Sequence, residues 1–166
     1  MIVIVMGVVG SGKTTVGRLL AEQLGWGFAD ADDFHSASNV EKIRKGIALD
    51  DDDRRPWLES LRAAISRWIA ERRDFVLACS ALKRSYRREL SVRPDVRFVY
   101  LKGSAELIAG RLRSRHGHFA GQQILASQFA DLEEPNEEEP EGVVTVEIAA
   151  PPQQIVREIR GKLGLA

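Results

Sequence analysis

The segment from Gly7 to Thr14 has residue types and a spacing suited to binding phosphate. It is Gly-Val-Val-Gly-Ser-Gly-Lys-Thr and fits the pattern G-x-x-x-x-G-K-[ST]. In this pattern, backbone N–H groups surround phosphate oxygens, the lysine reaches the β- and γ-phosphates, and the Ser or Thr hydroxyl ligates Mg²⁺. The positions expected to bind a nucleotide are Gly7, Gly10, Ser11, Gly12, Lys13, Thr14 and Thr15, with a mainly structural part for Thr15.

Two acids, Asp30 and Asp32, follow the second predicted strand. Residues just beyond the carboxyl ends of parallel strands line the ligand crevice of an open sheet, and i, i+2 spacing directs both side chains the same way. We expect Asp30 to hold the metal through water, together with Thr14, and Asp32 to orient or deprotonate a substrate hydroxyl. A solvated acidic turn is the alternative, and the neighbouring phosphate loop favours the functional interpretation.

The elements that must position these residues follow from the apolar pattern. Ile2 to Met6 is a continuous apolar run, typical of a parallel strand covered on both faces, and Lys13 to Leu24 has helical spacing. Other strands are predicted near 27–30, 75–79, 96–101 and 143–148, and other helices near 39–45, 53–73, 82–90, 105–115, 122–132 and 151–163. This alternation predicts a three-layer α/β fold with a parallel sheet, as a single domain over residues 1–166.

Composition excludes several classes of protein. Lys+Arg and Asp+Glu are both 24, so no clustered basic excess indicates nucleic-acid binding. The single cysteine, Cys79, cannot form an internal disulfide, and the N-terminal apolar run is too short for a signal sequence or a membrane span. We therefore expect a cytoplasmic protein that has neither a nucleic-acid partner nor a membrane partner.

Further blocks make the sequence similar to the gluconate kinase family, in the shikimate-kinase-like group of P-loop proteins. The D-R-x-P-W-L block and the C-S-A-L-K block discriminate best. In chain order the blocks are Gly7–Thr14, Asp30–Asp32 with His35, 39–43, 46–49, 53–58, 79–83 with 86–87, 100–103, 117–119, and 127–129 continuing through 132–135. Departures from the family pattern stand at Val9, His116 and Ala120-Gly121.

This resemblance implies a P-loop NTPase fold whose five parallel strands have the order 2-3-1-4-5. It also implies ATP and D-gluconate as substrates, 6-phosphogluconate as product, Mg²⁺ as metal and a homodimer. His116 to Gly121 interrupts the helical pattern with two glycines, so a mobile loop is predicted there, inside a lid at about 111–125.

The basic residues near the predicted crevice are the candidates for substrate contacts. Gluconate needs cations for its carboxylate and polar groups for its hydroxyls. Besides Asp32, the residues expected to bind it are His35, Arg54, Lys83 and Arg87. Arg111 and Arg115 flank the lid and are expected to close over the nucleotide, which makes them catalytic together with Lys13 and Asp32. Taken alone, each of His35, Arg54, Lys83 and Arg87 is more typical of a solvated surface charge, and the alternative for Arg111 and Arg115 is a basic helix face.

Two other functions stay open. One is a kinase for a related hydroxy acid such as shikimate. Against it, Cys79-Ser80-Ala81-Leu82-Lys83 stands where shikimate kinases have a run of glycines. The other is a non-catalytic module that senses nucleotides, which would bind ATP and no small acceptor.

Overall fold

Five parallel strands form one sheet at the centre of the protein. The computed structural model describes residues 1–116, 119–136, 138–139 and 142–166, and it describes residues 115, 116 and 119–121 by their backbone only. The strands are β1 Ile2–Met6, β2 Gly27–Asp30, β3 Phe75–Ala78, β4 Val96–Lys102 and β5 Val143–Glu147. All adjacent pairs are parallel, and the order β2-β3-β1-β4-β5 confirms the prediction.

Helices connect the strands and cover both faces of the sheet. They are α1 Lys13–Leu24, α2 Ala37–Arg44, α3 Asp51–Ala70, α4 Arg84–Leu90, α5 Ala105–His116, α6 Phe119–Asp131 and α7 Pro152–Leu163, with a short 3-10 helix at Ala31–Phe34. The predicted start of α6 at Gln122 is wrong, because the helix continues back through Gly121 to Phe119. A single glycine inside a helix costs only about 1 kcal/mol, so it need not end the helix.

Successive side chains of β1 point to opposite faces of the sheet, so the interior of the protein has two hydrophobic cores. Ile2, Ile4 and Met6 pack on one face with α3 and α4, whereas Val3 and Val5 pack on the other with α1 and α7. All five side chains are fully buried, as expected for a central strand of a parallel sheet. The three-layer prediction is therefore confirmed. Within the described residues, no helix combines the length and the apolar character needed to cross a membrane.

Candidate active site

The carboxyl ends of β1, β2 and β3 open on a cavity of about 290 Å³. This location is where an open parallel sheet places its ligands, because the loops leaving adjacent strands diverge there. Nine of the predicted site residues line the cavity, namely Gly10, Gly12, Lys13, Thr14, Thr15, Asp30, Asp32, His35 and Arg54. The fold thus brings together the phosphate loop, both acids and one candidate for the substrate cation.

The phosphate loop has the backbone conformation that its sequence predicts. Gly10 and Gly12 have φ values of 78° and 98°, in the left-handed region that other residues rarely adopt. Lys13 lies at the start of α1, and its Nζ donates to the Val8 carbonyl at 3.0 Å. Burial lowers the pKa of Lys13, and the nearby charges of Asp32, Cys79 and Asp30 act in the opposite direction. An anionic phosphate would supply the partner that this desolvated ammonium group needs.

Thr14 and Asp30 form a pair of hard oxygen donors beside the loop. The Thr14 hydroxyl donates to Asp30 Oδ2 at 2.9 Å, and Asp30 Oδ1 accepts from the backbone N–H of Asp32 at 3.0 Å. The described residues contain no group of three His, Cys, Asp or Glu side chains arranged to hold a metal ion. Mg²⁺ normally binds through one or two protein oxygens, waters and substrate phosphates, so this pair fits that ion.

Asp32 lies at the opening of the cavity, beside Asp30. The Asp32 side chain is exposed to solvent on the open side of the cavity, yet the surrounding protein raises the pKa of its carboxyl group. Desolvation is the main cause and the charge of Asp30 the next, whereas Lys13 lowers the pKa. A carboxylate with a raised pKa binds a proton more readily than an ordinary aspartate, which suits a group that accepts a proton from a substrate hydroxyl.

His35 lies flat against Trp57 on the wall of the cavity. The ring centroids are 4.6 Å apart and the planes differ by 9°. Trp57 is held in turn by a hydrogen bond from its Nε1 to the Ala31 carbonyl at 2.7 Å. Burial, and then the charge of Arg54, lower the pKa of His35, so its imidazole is neutral at physiological pH. The ring therefore offers a fixed, uncharged polar edge to a ligand.

Arg54 and Lys83 differ in their access to the cavity. Arg54 lines it, and its guanidinium also donates to Tyr86 Oη at 3.1 Å and to Asp131 Oδ2 at 2.9 Å. Lys83 is absent from the cavity wall, and its ammonium group pairs with Asp51 at 2.8 Å. Direct contact between Lys83 and a ligand in the cavity thus stays a prediction, whereas Arg54 is already at the surface of the cavity.

Arg87 is not available to a substrate, and this prediction is wrong. The side chain is fully buried, and all five of its N–H donors have acceptors. Two go to the carboxylate of Glu139, and three go to the carbonyls of Ala81, Leu82 and Glu133. The loop containing Glu139 is therefore anchored by a buried ion pair.

Arg111 borders a second cavity, of about 320 Å³, on the other side of the phosphate loop. The walls there include Gly10, Ser11, Thr15, Arg111 and Pro152. Arg111 donates to the Ile148 carbonyl at 2.7 Å, and the buried Ser11 hydroxyl has no hydrogen-bond partner among the described residues.

Two predictions near this second cavity have different outcomes. Thr15 borders both cavities, so the nucleotide-binding prediction for it fits better than a purely structural part. Arg115 has a side chain outside the described residues. Of the predicted loop 116–121, residues 117 and 118 lie outside them, and residues 116 and 119–121 are helical, so the loop prediction is wrong at those four positions.

Sequence reasoning missed two residues of α6. Gln128 Oε1 accepts from the backbone N–H of Val9 in the phosphate loop at 2.6 Å, and Asp131 pairs with Arg54 at 2.9 Å. The two are three positions apart, so they lie on one face of the helix. The block Ser127-Gln128-Phe129 was visible in the sequence, but its spacing alone gave no chemical role.

Comparison with known proteins agrees with this geometry. Residues 9–163 match the family model described as shikimate kinase. A probable gluconokinase of Xenopus tropicalis is 42% identical over 98% of this chain and 93% of its own length. A thermoresistant gluconokinase of Escherichia coli is 41% identical over 93% and 89%. A crystal structure of a gluconokinase from Sinorhizobium meliloti superposes with a TM-score of 0.86 at 43% identity, covering 98% of this chain and 90% of that one.

Proposed function

The chain belongs to the gluconokinase family, within the wider shikimate kinase family, and on this premise we propose that it transfers the γ-phosphoryl group of ATP to D-gluconate, giving 6-phospho-D-gluconate. One observation carries the proposal. The cavity that contains Lys13 and Thr14 also contains Asp32 and Arg54, so phosphate-binding groups, a proton acceptor and a substrate cation face one space.

The phosphates of ATP are held by the loop amides and by Lys13. Phosphoryl transfer is catalysed mainly by positioning and by charge stabilisation, since negative charge spreads over the γ-phosphate oxygens. Thr14 and Asp30 would hold Mg²⁺, which would neutralise part of the negative charge of the phosphates. Lys13 provides a second positive charge on the same oxygens, and its partial desolvation strengthens that interaction.

Asp32 accepts the proton of the attacking hydroxyl. Its carboxylate lines the cavity near Lys13, and His35 and Arg54 line the same cavity. As the hydroxyl oxygen attacks phosphorus in line with the departing ADP oxygen, its proton passes to Asp32. Arg54 binds the carboxylate at the far end of the sugar acid and sets which hydroxyl reaches the phosphate.

The second cavity accommodates the base and ribose of the nucleotide. It lies across the phosphate loop from the acceptor cavity, so an ATP molecule threaded along the loop would have its γ-phosphate at Lys13 and its base near Arg111 and Pro152. The flat guanidinium of Arg111 suits the face of a purine. Arg115 and the lid at about 111–125 keep their predicted part in closing over the phosphates.

A shikimate kinase and a nucleotide sensor are the competing functions. The first is opposed by the names of relatives at 40–47% identity, which are gluconokinases. A nucleotide sensor would not require Asp32, His35 and Arg54 to line a cavity next to the phosphate-binding groups.

A coupled assay of ADP release separates these three functions. The protein is incubated with ATP and Mg²⁺ in the presence of gluconate, of shikimate or of no acceptor, and the product is identified by ³¹P NMR. We expect ADP release with gluconate, coupled to formation of a primary phosphate ester. Release only with shikimate would support the first alternative, and nucleotide binding without release under any condition would support the second.

A cytoplasmic location and a homodimer are the remaining parts of the proposal. The homodimer is implied by the family resemblance, and the cytoplasmic location by the single cysteine and the short N-terminal apolar run. Light scattering coupled to size-exclusion chromatography tests the dimer, because a monomer of 18.5 kDa and a dimer of twice that mass are well separated.

A further inference from the structure

The buried side chain of Asn39 contacts His35 at the edge of the cavity. Asn39 lies in the first turn of α2 and is 4% exposed. Its Nδ2 atom is 2.7 Å from the carbonyl oxygen of Asp53 and 3.4 Å from Nδ1 of His35. One amide group thus joins the first residues of α3 to the histidine that lines the cavity.

The orientation of the Asn39 amide is fixed by its partner on α3. A backbone carbonyl can only accept a hydrogen bond, so the atom 2.7 Å from the Asp53 oxygen must be the amide nitrogen and not the amide oxygen. That nitrogen has two hydrogens and no available lone pair. Its second hydrogen is directed to His35, and it can only donate there.

The hydrogen bond from Asn39 determines which ring nitrogen of His35 has the proton. If Nδ1 of a neutral imidazole accepts a hydrogen bond, its proton must be on Nε2. The stack on Trp57 fixes the plane of the ring and the contact with Asn39 fixes its rotation, so Nε2 is the remaining polar atom. Within the part of the chain that the structure describes, no group accepts a hydrogen bond from Nε2, and the ring lines the cavity.

We propose that Asn39 is a positioning residue that holds His35 in the Nε2–H tautomer, so that His35 donates a hydrogen bond to an oxygen of the acceptor substrate. This inference rests on the proposed function only for the identity of that acceptor. A donor at this point recognises a hydroxyl or carboxylate oxygen that offers a lone pair. The opposite tautomer would present an acceptor and would leave such an oxygen unpaired.

The direct test is the position of the proton in the ligand-free protein. Nitrogen-15 NMR distinguishes a protonated ring nitrogen from an unprotonated one, and at about pH 8 an ordinary histidine is neutral. The chain has three histidines, so loss of one ring system in His35→Phe assigns the signals. We expect the proton on Nε2 in the wild type, and a proton on Nδ1 in Asn39→Asp, whose carboxylate can only accept. A wild-type proton on Nδ1 would overturn the proposal.

A double-mutant cycle then tests whether Asn39 acts through His35. Asn39→Asp should lower kcat/KM for the acceptor by about tenfold, the usual size of one lost hydrogen bond, and leave the KM for ATP unchanged. His35→Phe keeps a flat ring on Trp57 without nitrogens, and in that background Asn39→Asp should have no further effect. An equal fall in both backgrounds would show that Asn39 only supports the fold, and would also overturn the proposal.

A matched control addresses the added charge. Val40 is adjacent to Asn39 and 50% exposed, so Val40→Asp adds the same charge to α2 without contacting the ring. We expect it to leave both the His35 tautomer and kcat/KM unchanged, and a shift of the tautomer in this variant would contradict the proposed contact. If gluconate proves not to be a substrate, the NMR measurement still decides the tautomer, because it uses no ligand.

Discussion

The phosphate side and the acceptor side of the cavity are built in different ways. On the phosphate side, the loop glycines, Lys13 and Asp30 are positioned mainly by their immediate sequence. Gly10 and Gly12 supply left-handed conformations, Lys13 begins α1, and Asp30 accepts from the N–H of Asp32 two residues later. A local motif therefore determines the geometry, because few contacts from elsewhere are needed to form it.

On the acceptor side, the partner of each cation lies far away in the sequence. The acid that pairs with Arg54 is 77 positions distant, and the acid that pairs with Arg87 is 52 positions distant. Arg54 keeps a surface on the cavity, whereas Arg87 has all its donors satisfied inside the protein. The comparison teaches that a cation is available to a ligand only if the fold leaves part of it open to the cavity and does not satisfy all of its donors.

The largest effect is expected on the phosphate side, from Asp32→Asn. The change removes the proton acceptor and should lower kcat by about 10²- to 10⁴-fold with ATP binding retained. Because the pKa of Asp32 is raised in the folded protein, its ionised form disfavours folding, so the variant should keep or gain thermal stability above that pKa. In the wild type, kcat/KM should fall as pH drops through this pKa, and a pH profile identical in Asp32→Asn would contradict the assignment.

A somewhat smaller loss is expected from Lys13→Ala. Removing one charge-stabilising donor from a transition state usually costs about 10²- to 10³-fold in turnover. Circular dichroism should be unchanged, since the Lys13 ammonium contacts only the Val8 carbonyl among the described residues. Turnover close to that of the wild type would show that the phosphate loop is not part of the catalytic machinery.

Arg87→Met should lower the free energy of unfolding of the protein. Breaking a buried ion pair leaves Glu139 charged and unpaired, at a cost of about 3–5 kcal/mol in the free energy of unfolding. Adding Glu139→Leu should recover most of that loss, because an apolar pair of similar volume is often neutral. Arg44→Met, at an exposed pair with Glu41, is the control and should change stability by less than about 1 kcal/mol. Both variants are compared by urea unfolding. Small and equal losses of stability in Arg87→Met and Arg44→Met would refute the structural role of the buried Arg87–Glu139 pair.

Arg54→Met should weaken the preference of the protein for gluconate over glucose. A charge-assisted hydrogen bond contributes about 1.5–3 kcal/mol, so kcat/KM for gluconate should fall by about 10- to 100-fold, with little change for glucose, which lacks the carboxylate. Lys83→Met is the matched comparison and should have a smaller effect, because the Lys83 ammonium pairs with Asp51 away from the cavity wall. If steady-state kinetics give Lys83→Met the larger loss, the two cations have the opposite roles.

The same contrast explains how much could be predicted from sequence. The apolar run of β1 and the phosphate loop were predictable because strand periodicity and glycine conformations are local properties. The sheet order came from family resemblance, since spacing alone does not fix which strands are neighbours. Arg87 looked like a substrate residue because its block contains other site residues, and nothing local indicated that Glu139 would fold over it.

The residues that were missed share one physical cause. Gln128 and Asp131 act through contacts with Val9 and Arg54, more than 70 positions away, so no periodicity or spacing could assign them a function. Asn39 is a buried amide whose importance depends on where Asp53 and His35 are placed around it. The contacts of Gln128 and Asp131 exist only after the fold has brought α6 against the phosphate loop and α3.

The gluconate assignment is tested most directly by the ratio of kcat/KM for gluconate to kcat/KM for glucose in the wild-type protein. Both sugars offer a similar primary hydroxyl, but only gluconate offers a carboxylate to Arg54. Two charge-assisted hydrogen bonds from Arg54 to that carboxylate would contribute about 1.5–3 kcal/mol each, so we expect gluconate to be favoured by at least about a hundredfold. Equal phosphorylation of the two sugars would contradict the account, because the acceptor would then be chosen without its carboxylate.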